Sequence, residues 1–395
     1  MTHMLNLNDT QIAFAYKSNH ELVRDYQLFR LINQNWLVRW GTQTASKLID
    51  MGLKTPVAWG MRPTIYATFC GGENLEDAQK KINRLFEYKV HSILDYGVEG
   101  KETEADFERT FNAILKSIHY ASKNEAVKIV CAKFTGLVPF SILEKLDAEQ
   151  ALSADEEGVF AKFKSRVHQL AQAAYEKNIS LFVDAEETWI QQPLDDITFE
   201  LMLEFNQKRP VIYNTTQHYR KDRMVFLQKE IEKAKEHNII YAVKLVRGAY
   251  MEKENLRAAK LNYACPIQDS KAATDHDYDE AVKLCLQNIK HCAVCIATHN
   301  ENSTLLATRL MEERQLEAQH PHIQFSQLYG MSDNITFNMA NAGYNAHKYL
   351  PYGPVKDVIP YLIRRAQENT SVSGQMGREL KLLREEVKRR KLITF

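Results

Sequence analysis

Short apolar runs alternate with amphipathic stretches along most of the chain. Runs of four to eight apolar or β-branched residues predict strands, and longer stretches with apolar residues three and four positions apart predict helices. The predicted strands are 90–96, 127–134, 180–184, 211–214, 239–246, 293–298, 323–328 and 346–350. Eight strands that alternate with helices are typical of an α/β fold of the (β/α)₈ TIM-type barrel class.

A doubly wound sheet would also alternate strands with helices. That fold usually carries a Gly-x-Gly-x-x-Gly fingerprint after its first strand, and this chain lacks the motif. The Gly71–Gly72 pair indicates a loop and nothing more. The barrel is therefore the preferred prediction.

Helical patterns flank the predicted barrel on both sides. Near the beginning, Leu22, Tyr26 and Phe29 are spaced for burial on one helix face. Near the end, residues 378–391 are helical in character and basic. We predict a helical N-terminal extension over 1–88, the barrel over 89–370 and a basic C-terminal helix over 371–395. We expect this last helix to be solvated, with contact to an anionic membrane surface as the alternative.

The composition is that of an ordinary soluble globular protein. The chain has 395 residues, 45% of them hydrophobic and 26% charged, and a net charge of +1. This balance gives no electrostatic reason to expect a nucleic-acid partner. The sequence contains no run of 18 apolar residues, so it predicts no transmembrane helix. Six cysteines without a signal-peptide pattern favour reduced thiols and a cytoplasmic location, with a peripheral position at the inner membrane as the alternative.

Polar residues follow the predicted strands. The carboxyl ends of barrel strands meet at one mouth, where barrel enzymes place their chemistry. A buried strand should remain apolar unless its end faces a ligand, so this pattern predicts a functional mouth. The polar residues at these ends are Glu99, Lys133, Asp184, Glu186, Glu187, Gln217, Lys244, Arg247, Thr298, His299, Asn300, Gln327 and Tyr349.

One predicted helix near the C-terminus carries a distinctive set of side chains. After a strand end and a Pro/Gly turn, Tyr361, Arg364, Arg365 and Glu368 occupy positions i, i+3, i+4 and i+7, which share a face. Guanidinium groups bind carboxylates bidentately, so an arginine pair beside an aromatic ring suits a small anion with an apolar body. The alternative is a solvated helix face with an internal Arg–Glu pair.

The predicted mouth is cationic. Lys133, Lys244, Arg247 and the arginine pair face fewer evident carboxylates, which predicts a phosphate-bearing cofactor, a carboxylate substrate, or both. A Schiff-base lyase is an alternative from another class. It would use Lys133 or Lys244 as the nucleophile if neighbouring cations depressed the lysine pKa.

Metal and redox chemistry are less well supported. Cys292 and Cys295 lie in an apolar run where positions i and i+3 point to opposite faces of a strand, so we expect structural cysteines. Asp184, Glu186 and His299 offer oxygen and nitrogen ligands. A positive mouth would nevertheless oppose a divalent ion, and we expect no metal.

Several motifs together resemble those of the proline dehydrogenase family, whose members are flavin-dependent barrel enzymes. In family order they are 183–188 (VDAEET), 214–219 (NTTQHY), 244–250 (KLVRGAY), 298–300 (THN) and 327–331 (QLYGM). Residues 8–14 (NDTQIAF) are similar to the entry helix of the eukaryote-like branch of this family. The resemblance covers nearly the whole chain.

The resemblance implies a specific reaction. Family members use FAD to oxidise L-proline to 1-pyrroline-5-carboxylate, moving a hydride from the ring carbon beside nitrogen to flavin N5. Electrons then pass to a quinone, which implies transient membrane contact. No second catalytic domain is evident, so the chain resembles the monofunctional form, with a separate pyrroline-5-carboxylate dehydrogenase downstream. A hydroxyproline dehydrogenase and a non-catalytic barrel that binds proline or FAD remain alternatives.

The resemblance also implies roles for residues at the substrate. The substrate carboxylate would be bound by Arg364, Arg365 and Lys133. The pyrrolidine ring would be packed by Tyr349, Tyr361 and Tyr250. Glu99 would pair with Arg364 to close a gate. At the position of Tyr349, proline-specific members carry Tyr and hydroxyproline-oxidising members carry Ser, so proline is the expected substrate.

Further roles concern the cofactor. Asp184 would be the essential acidic residue that orders the pocket, with Lys244 as a second catalytic residue. Many bacterial members carry Arg in place of Lys244, and a lysine cannot reproduce a planar guanidinium contact at the flavin N5 edge, so this contact stays open. The residues expected to contact FAD are Ala185, Gln217, Lys244, Val246, Arg247, Gly248, Ala249, Thr298, His299 and Glu368.

Overall fold

The computed structural model describes residues 5–98, 102–371 and 375–393. Its strands follow one another in chain order around a closed barrel. They are β1 (His91–Tyr96), β2 (Val127–Ala132), β3 (Ser180–Val183), β4 (Ile212–Gln217), β5 (Tyr241–Val246), β6 (Cys292–Ala297), β7 (Ile323–Leu328) and β8 (Ala346–Tyr352). The predicted fold class is confirmed.

The chain forms two compact units, one of residues 1–99 with 326–395 and one of residues 100–325. Helices of the first unit are α1 (Thr10–Ala13), α2 (Asn19–Ile32), α3 (Asn35–Asp50), α4 (Lys54–Met61), a π-helix (Arg62–Tyr66), α5 (Ala67–Phe69), α6 (Leu75–Phe86), α15 (Asp333–Asn341), α16 (Val355–Ser371) and α17 (Gln375–Arg389). Helices of the second unit are α7 (Glu104–Ala121), α8 (Phe140–Asp147), α9 (Ala154–Glu176), α10 (Gln191–Phe205), α11 (Arg223–Glu236), α12 (Met251–Leu261), α13 (Lys271–Gln287) and α14 (Glu301–Glu313), with 3₁₀ turns at Phe134–Gly136 and Thr188–Ile190.

In the second unit, β2 to β6 pair in parallel. Thr215 of β4 lies opposite Lys244 of β5, and Lys244 lies opposite Cys295 of β6. Strand β4 continues three residues beyond its predicted end because its polar side chains find partners inside the barrel. Thr215 Oγ1 donates to the Val183 carbonyl at 2.7 Å, and Gln217 Nε2 donates to the Glu186 carbonyl at 2.7 Å. A buried polar strand is stable when its hydrogen bonds are satisfied in this way.

Helix starts in this unit follow the capping chemistry of the sequence. The Ser153 side chain accepts from the Glu156 N–H while the Glu156 side chain accepts from the Ser153 N–H, so α9 begins with a capping box. At the start of α7 the Thr103 side chain accepts from the Asp106 N–H, which is a single N-cap hydrogen bond. Both helices begin directly after these caps.

The first unit is held by an apolar cluster and a buried ion network. Lys348 and Asp333 are fully buried, and the Lys348 Nζ lies 2.8 Å from Asp333 Oδ1. Lys17 Nζ lies 3.0 Å from the other Asp333 oxygen and 2.7 Å from Asp25 Oδ2. Burial opposes ionisation of Asp333, but the two lysines outweigh it and hold the Asp333 pKa well below its usual range. This network connects β8, α15 and the helices at the N-terminal end.

The C-terminal helix is helical as predicted but is not solvated. Leu382, Leu383 and Val387 of α17 are fully buried in the apolar cluster of the first unit, and α17 packs on α2. Arg390 NH2 donates to the Phe14 carbonyl at 2.7 Å. The expectation of a solvated basic helix is therefore wrong. The many charged residues of α17 suggested solvation, although Leu382, Leu383 and Val387 form an apolar stripe that is buried. Among the described residues, we find no helix that combines the length and apolarity needed to span a bilayer.

Candidate functional site

A charged cluster lies at the strand ends of the second unit. Asp184 directly follows β3, Lys133 directly follows β2, and Lys244 projects from β5. The Lys244 ammonium donates to Asp184 Oδ1, and the Lys133 Nζ lies 3.9 Å from Asp184 Oδ2. The Cys131 thiol also donates to Asp184 Oδ1, at 2.9 Å. The second unit therefore brings together three of the predicted site residues.

The two sides of this cluster keep each other charged. Burial favours the neutral carboxyl, but attraction by Lys244 and then Lys133 outweighs burial and lowers the pKa of Asp184 to about 2. Burial likewise disfavours the Lys244 ammonium, but Asp184 holds the Lys244 pKa well above its ordinary value. A Schiff-base nucleophile needs a depressed lysine pKa, and the raised Lys244 pKa argues against the Schiff-base alternative at this residue.

Glu186, two residues after Asp184, has the opposite electrostatics. Burial raises its pKa to about 8; hydrogen bonds from Thr135 oppose the shift and the Glu187 charge adds to it. Thr135 Oγ1 donates to Glu186 Oε2 at 2.6 Å. The Glu186 N–H donates to Gln191 Oε1 at 2.8 Å, which fixes the loop backbone. Asp184 and Glu186, both on the loop after β3, therefore have pKa values shifted in opposite directions.

Asp184, Glu186 and His299 were considered as metal ligands from the sequence. Asp184 is instead engaged by two ammonium groups and Glu186 by a hydroxyl group. Within the described ranges, no group of three or more His, Cys, Asp or Glu side chains is arranged to hold a metal ion. Cys292 and Cys295 are buried free thiols of β6, as expected for structural cysteines.

Arg247, just beyond β5, is fixed in place by three hydrogen bonds. Its Nε donates to Asp275 Oδ1 at 2.6 Å, one terminal nitrogen donates to Thr298 Oγ1 at 2.7 Å, and the other donates to Ser303 Oγ at 2.9 Å. The guanidinium carbon also lies 4.3 Å from the Tyr278 ring centroid. Among the described residues, one N–H on each terminal nitrogen has no hydrogen-bond partner. A fixed guanidinium with two available donors suits an anion.

The motif after β5 continues with two exposed small residues, Gly248 and Ala249. Gly248 has φ +133°, and a Cβ there would lie 2.4 Å from the Tyr219 ring. The protein therefore requires glycine at this position for its own packing, whatever approaches from outside. The Ala249 N–H points to Gln217 Oε1 at 3.4 Å. This weak bond leaves the Gly248–Ala249 backbone accessible.

The remaining expected residues of the second unit are half-buried or buried. Val246, at the end of β5, is half-buried, as are Ala185 and His299. Tyr250 is buried, and the Lys253 Nζ lies 5.6 Å from its ring centroid. Sequence reasoning missed Cys131, Thr135, Asp275 and Ser303. The latter two lie on α13 and α14, and the motif pattern gave no signal that they would support Arg247.

The arginine helix of the first unit is α16. The Arg365 guanidinium carbon lies 5.3 Å from the Tyr361 ring centroid, one helical turn away. Both side chains are buried, with 7% of Arg365 exposed, and Arg364 is half-buried. A solvated helix face does not bury a guanidinium, so that alternative is wrong for Arg365. Tyr349 of β8 is also buried and lies opposite Ile93 of β1.

Two expected residues fall outside this description. Glu99, the proposed gate partner of Arg364, lies outside the described residues. Glu368 belongs to α16, but its side chain is not among those described. Both remain predictions.

Comparison with known proteins places this site in a family context. The family model described as "Proline dehydrogenase" matches residues 78–378, which include β1 to β8 and α16. "Proline dehydrogenase 1, mitochondrial" of Dictyostelium discoideum is 28% identical, over 97% of this chain and 74% of that protein. "Hydroxyproline dehydrogenase" of Xenopus laevis is 31% identical, over 96% of this chain and 89% of that protein.

A solved structure gives the same architecture. It is proline utilization A from Bdellovibrio bacteriovorus, inactivated by N-propargylglycine, with a TM-score of 0.73 and 20% sequence identity. The match covers 92% of this chain and 38% of that chain. At this identity the likeness concerns the fold alone, and the present chain spans well under half of that protein's length.

Proposed function

The chain belongs to the proline dehydrogenase family, and we propose that its strand-end cluster serves the oxidation of L-proline to 1-pyrroline-5-carboxylate. The observation that carries the proposal is the grouping of Lys133 and Lys244 around one ionised carboxylate, Asp184. Buried Lys244 and half-buried Lys133 against the one Asp184 carboxylate leave a net positive charge in this cluster. Such a site favours an anionic substrate or cofactor.

The substrate's chemistry explains why cations are needed. Proline loses a hydride from the carbon beside nitrogen, which requires a neutral amine while the carboxylate remains charged. Cationic side chains can hold the acid end without taking part in the bond that breaks. We assign the carboxylate to Arg364 and Arg365, and likewise to Lys133. Tyr349, Tyr361 and Tyr250 would pack against the ring and exclude water from it.

The second unit has a donor set that fits FAD. Arg247 has two available N–H groups, and the adjacent Gly248–Ala249 backbone is exposed, which suits an anionic diphosphate. The bound flavin would accept the hydride and pass electrons on. Lys244 remains protonated because of Asp184, so it contributes a constant positive charge. The other proposed contacts are Ala185, Gln217, Val246, Thr298, His299 and Glu368.

The electron acceptor and the setting of the reaction are also proposals. A quinone would take the electrons, and a separate pyrroline-5-carboxylate dehydrogenase would consume the product. The protein would act in the cytoplasm or peripherally at the inner membrane. No nucleic-acid partner is proposed, because the net charge of the chain is only +1.

Hydroxyproline oxidation is a second candidate function, supported by the 31% identity to the Xenopus laevis protein. Tyr349 argues against it. This residue of β8 is only 8% exposed, and a bulky ring there would crowd a hydroxyl group on the substrate ring. A pocket that fails to accommodate a hydroxyl discriminates by only about a hundred-fold, so slow reaction with hydroxyproline is expected.

Replacing the paired arginines tests the proposed function. A charge-assisted contact to a carboxylate is worth about 1.5–3 kcal/mol, so Arg364→Met or Arg365→Met should raise the proline KM roughly ten- to a hundred-fold. Flavin content should stay unchanged. Arg309→Met is the matched control, because this side chain on α14 is 66% exposed. If both α16 variants kept the parental KM in a proline-dependent dye-reduction assay, the assignment would be refuted.

A further inference from the structure

Three of the four tryptophans of the chain lie within residues 36–59, and all three are exposed. Trp36 is 69% exposed, Trp40 is 64% exposed and Trp59 is 81% exposed. Met51 and Leu53, in the connection between α3 and α4, are exposed as well. Large apolar side chains grouped on a surface commonly mark an interaction site, and tryptophan favours the boundary between water and an apolar phase.

The opposite faces of these helices are occupied. Ala45 and Leu48 of α3, and Val57 and Ala58 of α4, pack with the apolar cluster of the first unit. Trp36 and Trp40 are one turn apart, and Ala45 is on the other side of α3 by helical geometry. The two helices contact each other, and both contact α16. The tryptophans therefore project from helices whose inner sides already have their core partners.

The charge of this segment identifies a partner. Residues 36–61 contain Arg39, Lys47 and Lys54 against one acidic residue, Asp50, a net charge of +2 in a chain whose total is only +1. Basic residues among exposed tryptophans are typical of surfaces that bind anionic lipid headgroups. A symmetric contact between two copies would instead bring like charges together. A lipid surface is thus favoured over a second copy.

We propose that α3, its connection to α4 and α4 form a tryptophan face that docks on membranes containing anionic lipid. The C-terminal helix cannot supply this contact with its apolar side, because Leu382, Leu383 and Val387 are buried. The tryptophan face extends the proposed function, since α16 with its arginine pair packs directly on α3 and α4. Docking would bring that helix close to a membrane-dissolved electron acceptor. Lipid binding itself does not depend on the reaction.

Vesicle co-sedimentation of the full chain with its cofactor tests the proposal. The vesicles contain equal parts phosphatidylglycerol and phosphatidylcholine, with pure phosphatidylcholine as the second arm. The variant W36Q/W40Q/W59Q should bind the anionic vesicles at least about ten-fold more weakly than the parent. The control V225Q/L256Q removes exposed apolar side chains from α11 and α12 and should bind as the parent does. Binding should weaken for every protein in the second arm.

Tryptophan fluorescence adds a readout at the face itself. Trp189, the fourth tryptophan, is half-buried with the Arg257 guanidinium 4.4 Å from its ring centroid, so Trp189→Phe leaves emission from the face alone. Adding anionic vesicles to W189F should shift emission to the blue, and brominated lipid chains should quench it. Proline-dependent dye reduction by the triple variant should remain at the parental level, which separates this test from that of the proposed function.

Several results would overturn the tryptophan face. These are failure of the parent to bind anionic vesicles, equal binding by the parent and the triple variant, or emission that stays unchanged while the protein sediments with vesicles. A dimer that the triple substitution dissociates, without vesicle binding by the parent, would assign the face to a second copy instead. If the parent bound anionic vesicles but did not oxidise proline, the proposed reaction would be contradicted and the docking proposal would still be supported.

Discussion

Asp184 and Glu186 are two positions apart, yet their surroundings shift their pKa values in opposite directions. Asp184 is half-buried and Glu186 is buried, and in each case the loss of solvation raises the pKa. At Asp184 the attraction of Lys244 and Lys133 outweighs this effect and lowers the pKa. At Glu186 the hydrogen bonds from Thr135 are too weak to outweigh it, and the Glu187 charge raises the pKa further. The contrast follows from partners supplied by β2 and β5.

Asp184→Asn tests the role of this carboxylate. Its depressed pKa means that its contribution to stability is present above pH 3.8, the ordinary value, and is lost as pH falls towards about 2. At neutral pH the variant leaves the buried Lys244 without its anion, which should cost about 3–5 kcal/mol and at least ten-fold in kcat/KM. Denaturant unfolding and dye reduction measure both. Asp196→Asn, on the exposed side of α10, should change neither, and equal losses in the two variants would contradict this role.

Glu186→Gln tests the opposite shift. The folded pKa of about 8 lies above the ordinary 4.5, so the parent loses stability as pH rises through this window. Glutamine does not titrate and can still accept from Thr135. The variant should therefore gain stability relative to the parent between pH 5 and 8, by at most about 1.4 kcal/mol per pH unit. Glu157→Gln, exposed on α9, is the control. Parallel stability curves for parent and Glu186→Gln would refute the shift.

At the scale of elements, the C-terminal helix α17 is a structural part of the first unit. Its buried leucines pack in the same cluster as residues of α2, and Arg390 donates to the Lys17 carbonyl at 2.9 Å. Helix α17 also supplies Glu379, whose carboxylate accepts from the Ser332 N–H at 3.0 Å. Residues from both ends of the chain thus share one core.

Leu383→Ala measures how much α17 contributes. Removing a fully buried leucine leaves a cavity and should lower the free energy of unfolding by about 2–5 kcal/mol. Lys381→Ala, whose side chain is 65% exposed, should change it by less than about 0.5 kcal/mol. Denaturant unfolding of the three proteins provides the comparison. A Leu383→Ala protein as stable as the control would mean that α17 is not held as described.

Sequence periodicity predicted where these elements lie along the chain better than it predicted how they pack. Strand β7 was predicted over its observed range, because a short apolar run is a local signal. The burial of α17 depends on α2, more than 340 positions away, and no local pattern reports that contact. For the same reason Arg247 could be selected from its motif, while its supports Asp275 and Ser303 could not. Of the polar strand ends that were predicted to meet at one mouth, the structure places Lys133 and Lys244 beside Asp184.

At the scale of the whole molecule, the fold and the motifs support one another. The match to the proline dehydrogenase family runs from residue 78 to residue 378, through the closed barrel and into the arginine helix. The charged cluster belongs to one compact unit and the arginine pair to the other. A barrel alone serves many reactions, so the chemistry of these residues has to be tested in the complete protein.

We propose that this barrel uses a bound flavin to oxidise proline in preference to hydroxyproline. The most direct measurement is the visible absorption of the purified protein during anaerobic addition of L-proline, followed by a parallel addition of trans-4-hydroxy-L-proline. We expect a yellow protein whose flavin absorbance is bleached by proline, with hydroxyproline roughly a hundred-fold less efficient. Flavin-containing protein that proline does not bleach, or that both substrates bleach equally well, would refute the proposal.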